Sequence, residues 1–296
     1  MSNVLGLEKF GLGKVQLDNI FEEDEKKAES RDTTAGEQQS GGAPTTPAHD
    51  EIEFLLAKTY TCPVCDTTFR SRQVKTGRAR RLQPDFDLRP RCQDIDVNKY
   101  DVTACPKCGY AALNRNFEHI TQGQVKLVRQ EVSNKFRPSG TVNLNEPLEP
   151  YTYQEAIERY QLALFCTVAK KGKTSEKAYI LLKLAWLNRG LAEMYEAKGE
   201  SGSEEYVEAR EHEAAYYTEA FDGMVKAVAT ENFPMCGMDE HTVNILMAGM
   251  AYKLEKYDIA SKLVSTVIVS RTAPSAAKER AQKLKDEIIL KLHNTQ

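Results

Sequence analysis

The chain has no run of about 18 apolar residues, so no segment of it is expected to cross a membrane as a helix. Its start, Met1-Ser2-Asn3-Val4-Leu5-Gly6-Leu7, lacks the basic residues and apolar stretch of a secretory signal. Cysteine is sparse, seven in 296 residues. Three of them, Cys92, Cys166 and Cys236, stand outside any pairing pattern, an odd number. A disulfide framework is therefore not expected, and a reducing, cytoplasmic compartment is. Charge of one sign is also missing. Forty Lys and Arg against 43 Asp and Glu leave a net charge of −3, too near neutral for a polyanion partner gripping the whole molecule.

Signatures of catalysis are absent as well. Gly11-Leu12-Gly13-Lys14 has neither the spacing nor the preceding strand of a phosphate loop. There is no nucleophile elbow and no His-Glu metal helix. The five histidines, His49, His119, His212, His241 and His293, are scattered. The expectation is a non-enzymatic protein with no small-molecule substrate. Proline is rare in the second half. Pro150, Pro234 and Pro274 fall at breaks, which leaves long stretches free to be helical.

What is present is two matched cysteine pairs, Cys62-Pro63-Val64-Cys65 and Cys105-Pro106-Lys107-Cys108. Each has the spacing of a metal knuckle, and together they offer the four thiolates of a structural zinc site. Apolar alternation on either side reads as strands at Phe54–Tyr60, Thr67–Val74 and Val97–Thr103. Strand, knuckle, strand, repeated once, is the plan of a zinc ribbon. The 39 residues between the pairs (66–104) make a long loop, and a thiolate-bound cation readily offsets the entropy of closing it. A rubredoxin-like iron site, and with it an iron redox protein, is the alternative, since iron accepts the same four ligands. Against it, Asp66 stands where the iron knuckles usually carry Gly. Cys92 and His119 are the spare groups able to replace a ligand; a closed shell of four cysteines leaves them as loop and surface residues.

The intervening loop is basic. Arg70, Arg72, Lys75, Arg78, Arg80, Arg81, Arg89 and Arg91 face only Asp85 and Asp87 between positions 70 and 91. Two readings stand. Arg70, Arg72, Lys75, Arg78, Arg80 and Arg81 contact a nucleic acid, or the arginines pair with acids of the helical half. With only Phe86 as an interleaved aromatic, base stacking has no support.

The organisation expected is a short apolar docking segment (1–21), a disordered linker (22–50) without Val, Ile, Leu, Phe or Tyr, and a zinc-ribbon-like domain with its basic insertion (51–120). A helix capped by Thr121 and a second linker follow (121–150), then a helical domain (151–296). Within the last, helices are expected near 152–170, 174–198, 203–230, 239–254, 257–270 and 275–292. Tyr153, Ala156, Tyr160 and Ala163 follow tetratricopeptide spacings, as do Ala248, Tyr257, Ala260, Val264, Val267 and Pro274. Long central helices make the array irregular. The fold class is thus mainly α, a small β zinc-ribbon part followed by tetratricopeptide-like helices. Stacked pairs form grooves that bind peptides, so a protein or peptide is the expected partner. The lone Trp186, inside an apolar helix face, is expected in the core.

Several segments together resemble a known family: Cys62–Cys65, Asp85–Arg91, Tyr100-Asp101-Val102, Cys105–Ala112 and Leu182–Arg189. They are similar to a bacterial family of unknown function, the domain of unknown function 2225, over about residues 50 to 290. The resemblance implies a cytosolic bacterial protein with a zinc-ribbon-like part and tetratricopeptide-like helices, and implies no settled activity.

Overall fold

The structure is a computed structural model that describes residues 7–12, 20–21, 50–138, 144 and 148–294. It is mainly helical. Two antiparallel hairpins come first. Strands β1 (Leu55–Thr61) and β2 (Thr68–Val74) pair from Leu55↔Val74 to Thr61↔Thr68, and β3 (Val102–Ala104) pairs with β4 (Ala111–Leu113). A knuckle forms the turn of each hairpin. The expected strand at 97–103 is only half a strand. Val97–Tyr100 is a 3-10 turn, because Asp96 accepts a hydrogen bond from the Asn98 backbone at 3.0 Å and Lys99 reaches Glu51 at 2.7 Å, so the chain coils before it extends.

Helix α1 (Gln122–Val128) opens on a capping box between Thr121 and Gln124 and runs into a π turn, Arg129–Ser133. Then come α2 (Tyr153–Ala169), α3 (Thr174–Ala197), α4 (Glu204–Thr230), α5 (Glu240–Lys253), α6 (Tyr257–Val269) and α7 (Ser275–Asn294). Each lies within about two residues of its expected span. Thr152, Ser203 and Asp239 cap α2, α4 and α5 through their side chains. Helix α3 has no such cap of its own. Glu231, just beyond α4, instead accepts from the Ser175 backbone N–H (2.9 Å) and hydroxyl (2.6 Å). A carboxylate there also meets the positive end of the helix dipole. Glu231→Ala is expected to destabilise the fold by about 1–2 kcal/mol, and Glu231→Gln by less. Urea titration of the full chain checks this, with no change in midpoint for Glu231→Ala as the contrary result.

One continuous core joins the knuckles, α1 and the helical half. Trp186 is part of it. A smaller cluster, Phe54, Leu55, Ile95, Tyr100 and Tyr151, seats the first hairpin. From the expected docking segment, Leu7, Phe10, Leu12, Ile20 and Phe21 are buried, while its other residues, the linker at 22–49 and most of 139–147 lie outside the described residues.

Candidate metal centre

The two knuckles share one backbone design. In the first, the Cys62 N–H donates to Thr67 O (2.9 Å) and the Asp66 N–H to Cys62 O (2.9 Å). In the second, the Cys105 N–H donates to Tyr110 O (2.8 Å) and the Gly109 N–H to Cys105 O (3.0 Å). Each turn needs a left-handed residue after its second cysteine, Asp66 at φ 57° and Gly109 at φ 74°. The two positions differ in their surroundings. A Cβ at Gly109 would come within 2.4 Å of the Phe136 ring, so only glycine fits. Arg129 at the end of α1 holds the tip of the first knuckle by donating from Nε to Val64 O at 2.7 Å.

The turns point their sulfurs at one another. Cys62 Sγ lies 3.6 Å from Cys108 Sγ, and Cys65 Sγ lies 3.7 Å from Cys105 Sγ. All four atoms fall within 4.8 Å of one another. Four thiolates at about 2.3 Å from a tetrahedral cation stand about 3.8 Å apart, so the spacing fits a bound metal. Three of the cysteines are buried and Cys65 is half-buried. Hydrogen bonds from Cys108 and Cys62 pull the Cys105 thiol well below its usual range, and the bonds to Cys105, with burial, push Cys62 and Cys108 up. A divalent cation held by the four sulfurs would displace their protons.

Among the described residues the group that could hold a metal ion consists of these four cysteines. Cys92 sits in the smaller cluster on a bridge to Arg81, where burial pushes its thiol up, and His119 is exposed. Sequence reasoning did not foresee the role of Cys166. From α2 its sulfur accepts from the Ala111 N–H (3.4 Å) and donates to Gly109 O (3.5 Å), buttressing the second knuckle without joining the cluster. No local pattern marks that residue. Gly109→Ala is expected to cost at least about 1–2 kcal/mol and weaken metal retention, whereas Asp66→Gly is expected to be tolerated. Competition with a chromophoric chelator checks the pair, and equal retention by both variants would contradict the geometry.

The basic loop divides. Arg72 is buried, its guanidinium 4.2 Å from the centre of the Tyr151 ring, with Arg159 at 3.9 Å from the same ring. Arg89 and Arg91 both bind Glu193 of α3, the former through two bonds of 2.8 and 3.0 Å. Lys75, Arg78 and Arg80 line a cleft of about 450 Å³ with Glu53, Phe54, Gln93 and Asp94. Arg70 and Arg81 are exposed outside it.

Residues 85–91 form a strap across the helices. Asp87 is buried and accepts from Arg189 (2.6 Å), Tyr217 (2.9 Å) and the Trp186 indole (3.1 Å). Arg189 also binds Glu213 (2.8 Å) and Asp85 (3.1 Å). At Gly249 of α5 the Phe86 carbonyl crosses so closely that a Cβ would lie 2.1 Å from its oxygen.

Fold and site define a mainly helical protein with a small two-hairpin part built round a four-cysteine cluster able to hold a metal ion. The chain belongs to the family described as an uncharacterized protein conserved in bacteria (DUF2225), whose model matches residues 55–288. It is similar to an uncharacterized protein of Borreliella burgdorferi, 23% identical over 124 residues, which cover 38% of this chain and 44% of that protein. The match thus spans less than half the relative's length. No solved structure matches the chain significantly. The segments that carried the resemblance meet in space: Asp85–Arg91 against Leu182–Arg189 through Asp87, Trp186 and Arg189, and Asp101 against Lys183 at 2.9 Å. Among the described residues no helix is long and apolar enough to cross a membrane.

Proposed function

We propose that the protein is a non-enzymatic, cytoplasmic interaction scaffold, fastened by a structural zinc, that binds a protein or peptide through tetratricopeptide-like helices. The observation that carries the zinc is the closed set of four thiolates spaced for a tetrahedral cation. With all positions taken by cysteine, no vacancy remains for a substrate, which is the mark of a structural site. Iron accepts the same geometry, and metal analysis decides between them. The helical reading is supported by packing. Successive helices pack on one another, and α5 touches α7 as well as α6, as in stacked pairs. Small residues on α5 and α6, Ala248, Ala251 and Ala260, are fully buried.

Purification of the full chain from a bacterial host tests the reading. Elemental analysis should find about one zinc per chain, and a co-purifying protein should be lost when exposed helical residues such as Val225 and Val228 are changed to Asp. A coloured, iron-loaded sample would overturn the zinc assignment. Partners that ignore every helical substitution would overturn the groove.

A second reading keeps one specific observation: Lys75, Arg78 and Arg80 converge on one cleft. A nucleic-acid-binding regulator would use it. Binding of RNA and DNA measured over a salt series should then show a slope that flattens in Arg78→Ala/Arg80→Ala. Absence of binding at low salt removes this reading.

A further inference from the structure

Both described pieces of the chain ahead of residue 22 are seated on the body. Phe10 stacks on Phe136 at 5.8 Å, its carbonyl accepts from the Arg137 N–H at 2.7 Å, and Lys9 pairs with Glu158 of α2. Further along, the Ile20 carbonyl accepts from Nζ of Lys177, a buried lysine of α3, at 3.0 Å. The Phe21 ring then enters the seam between α3 and α4. A Cβ at Gly223 would lie 2.3 Å from its Cζ and 2.9 Å from the Ala178 Cβ. Lys226 Nζ stands 5.6 Å from the ring centre. Side chains are thus missing or minimal on both helices at the spot where the ring sits, with Lys226 beside it. Two helices packing only on each other fill such a seam with their own side chains. Here the filler comes from elsewhere in the chain.

We infer that the α3–α4 seam is a recognition site for a short segment with an apolar residue and Phe followed by acids. The chain's own Ile20-Phe21, followed in sequence by Glu22-Glu23, fills it in cis. This rests on the scaffold reading and supplies its regulation, since a partner segment of the same chemistry must displace the arm. The sequence after Phe21, Glu22-Glu23-Asp24-Glu25, is opposite in charge to Lys226 beside the ring. A tethered occupant competes at an effective concentration in the millimolar range, so the intact chain resists weak competitors.

The test uses full-length protein and a fluorescein-labelled peptide of residues 5–25, followed by anisotropy. The Phe10→Ala/Phe21→Ala variant should bind the peptide at least tenfold more tightly than the wild type, because its own arm no longer competes. A peptide carrying Phe21→Ala should lose that binding. Adding Lys226→Glu to the protein should weaken binding about two- to fivefold; this residue is exposed, so the fold survives the change, as circular dichroism would verify. Equal affinity for wild type and variant, no binding to either, or full binding after Lys226→Glu would overturn the inference. The experiment needs no foreign partner. If the peptide fails to bind while a partner still co-purifies through the helices, the scaffold reading stands and the cis occupancy falls.

Discussion

Cys105→Ser is expected to release the metal and unfold the two-hairpin part of the chain. The two hairpins carry little stability of their own, because isolated two-stranded ribbons are marginal in water. They form two separate sheets, β1 with β2 and β3 with β4, with no ladder between them. The sulfurs of the knuckles are the direct link between the tips, at 3.6 and 3.7 Å. Structural zinc sites contribute about 10–16 kcal/mol of apparent binding energy, larger than the stability of most domains. A serine in place of Cys105 removes one of the four ligands and leaves a cation incompletely held. Hydrogen exchange should show protection lost across 55–74 and 102–113, while α3 and α4, which pack on each other, keep theirs. Chelation of the wild type should give the same pattern, and added zinc should reverse it. Full metal content with unchanged exchange in Cys105→Ser would refute the site.

How far the sequence reveals this arrangement depends on the range of the interactions. The metal cluster is legible because each pair of ligands lies within four residues and the turn between them is local. The helices are legible for the same reason: Thr152, Ser203 and Asp239 announce their starts beside the residues they cap. The strap is not legible. Asp87 and Arg189 are 102 residues apart, and nothing near either says which acid meets which base. Arg72 and Arg78 look alike in the basic stretch, yet one lies buried over Tyr151 and the other lines a cleft. Pairing of the loop with the helical half proves true of Arg89 and Arg91 specifically, through Glu193. Glycines 223 and 249 read as weak points in helices, but each makes room for another part of the chain, Phe21 or Phe86.

Asp87→Ala is the second large effect expected. The carboxylate is almost fully buried, and its partners Arg189, Trp186 and Tyr217 are buried with it. Removing it strands the Arg189 charge beside only Glu213 and the half-exposed Asp85. Breaking a buried pair this way costs about 3–5 kcal/mol. Replacing both partners with apolar residues, Asp87→Leu with Arg189→Met, should cost less than either single change, because no charge is then left unpaired. The pH dependence follows from the same contacts. Burial pushes Asp87 up, but the charge and hydrogen bonds of Arg189, with Tyr217 and Trp186, outweigh it and hold the carboxyl below its usual range. Glu213 is likewise held down by Arg189 and Lys253 against its own burial. Lowered folded values mean stability that is fully present above the unfolded carboxylate range, near pH 4, and lost as pH falls through the folded values. The stability gap between wild type and Asp87→Ala, measured by urea titration at a series of pH values, should therefore be widest near neutrality and narrow below about pH 4. A gap that stays constant down to pH 2 would show that Asp87 acts by filling space and not by charge.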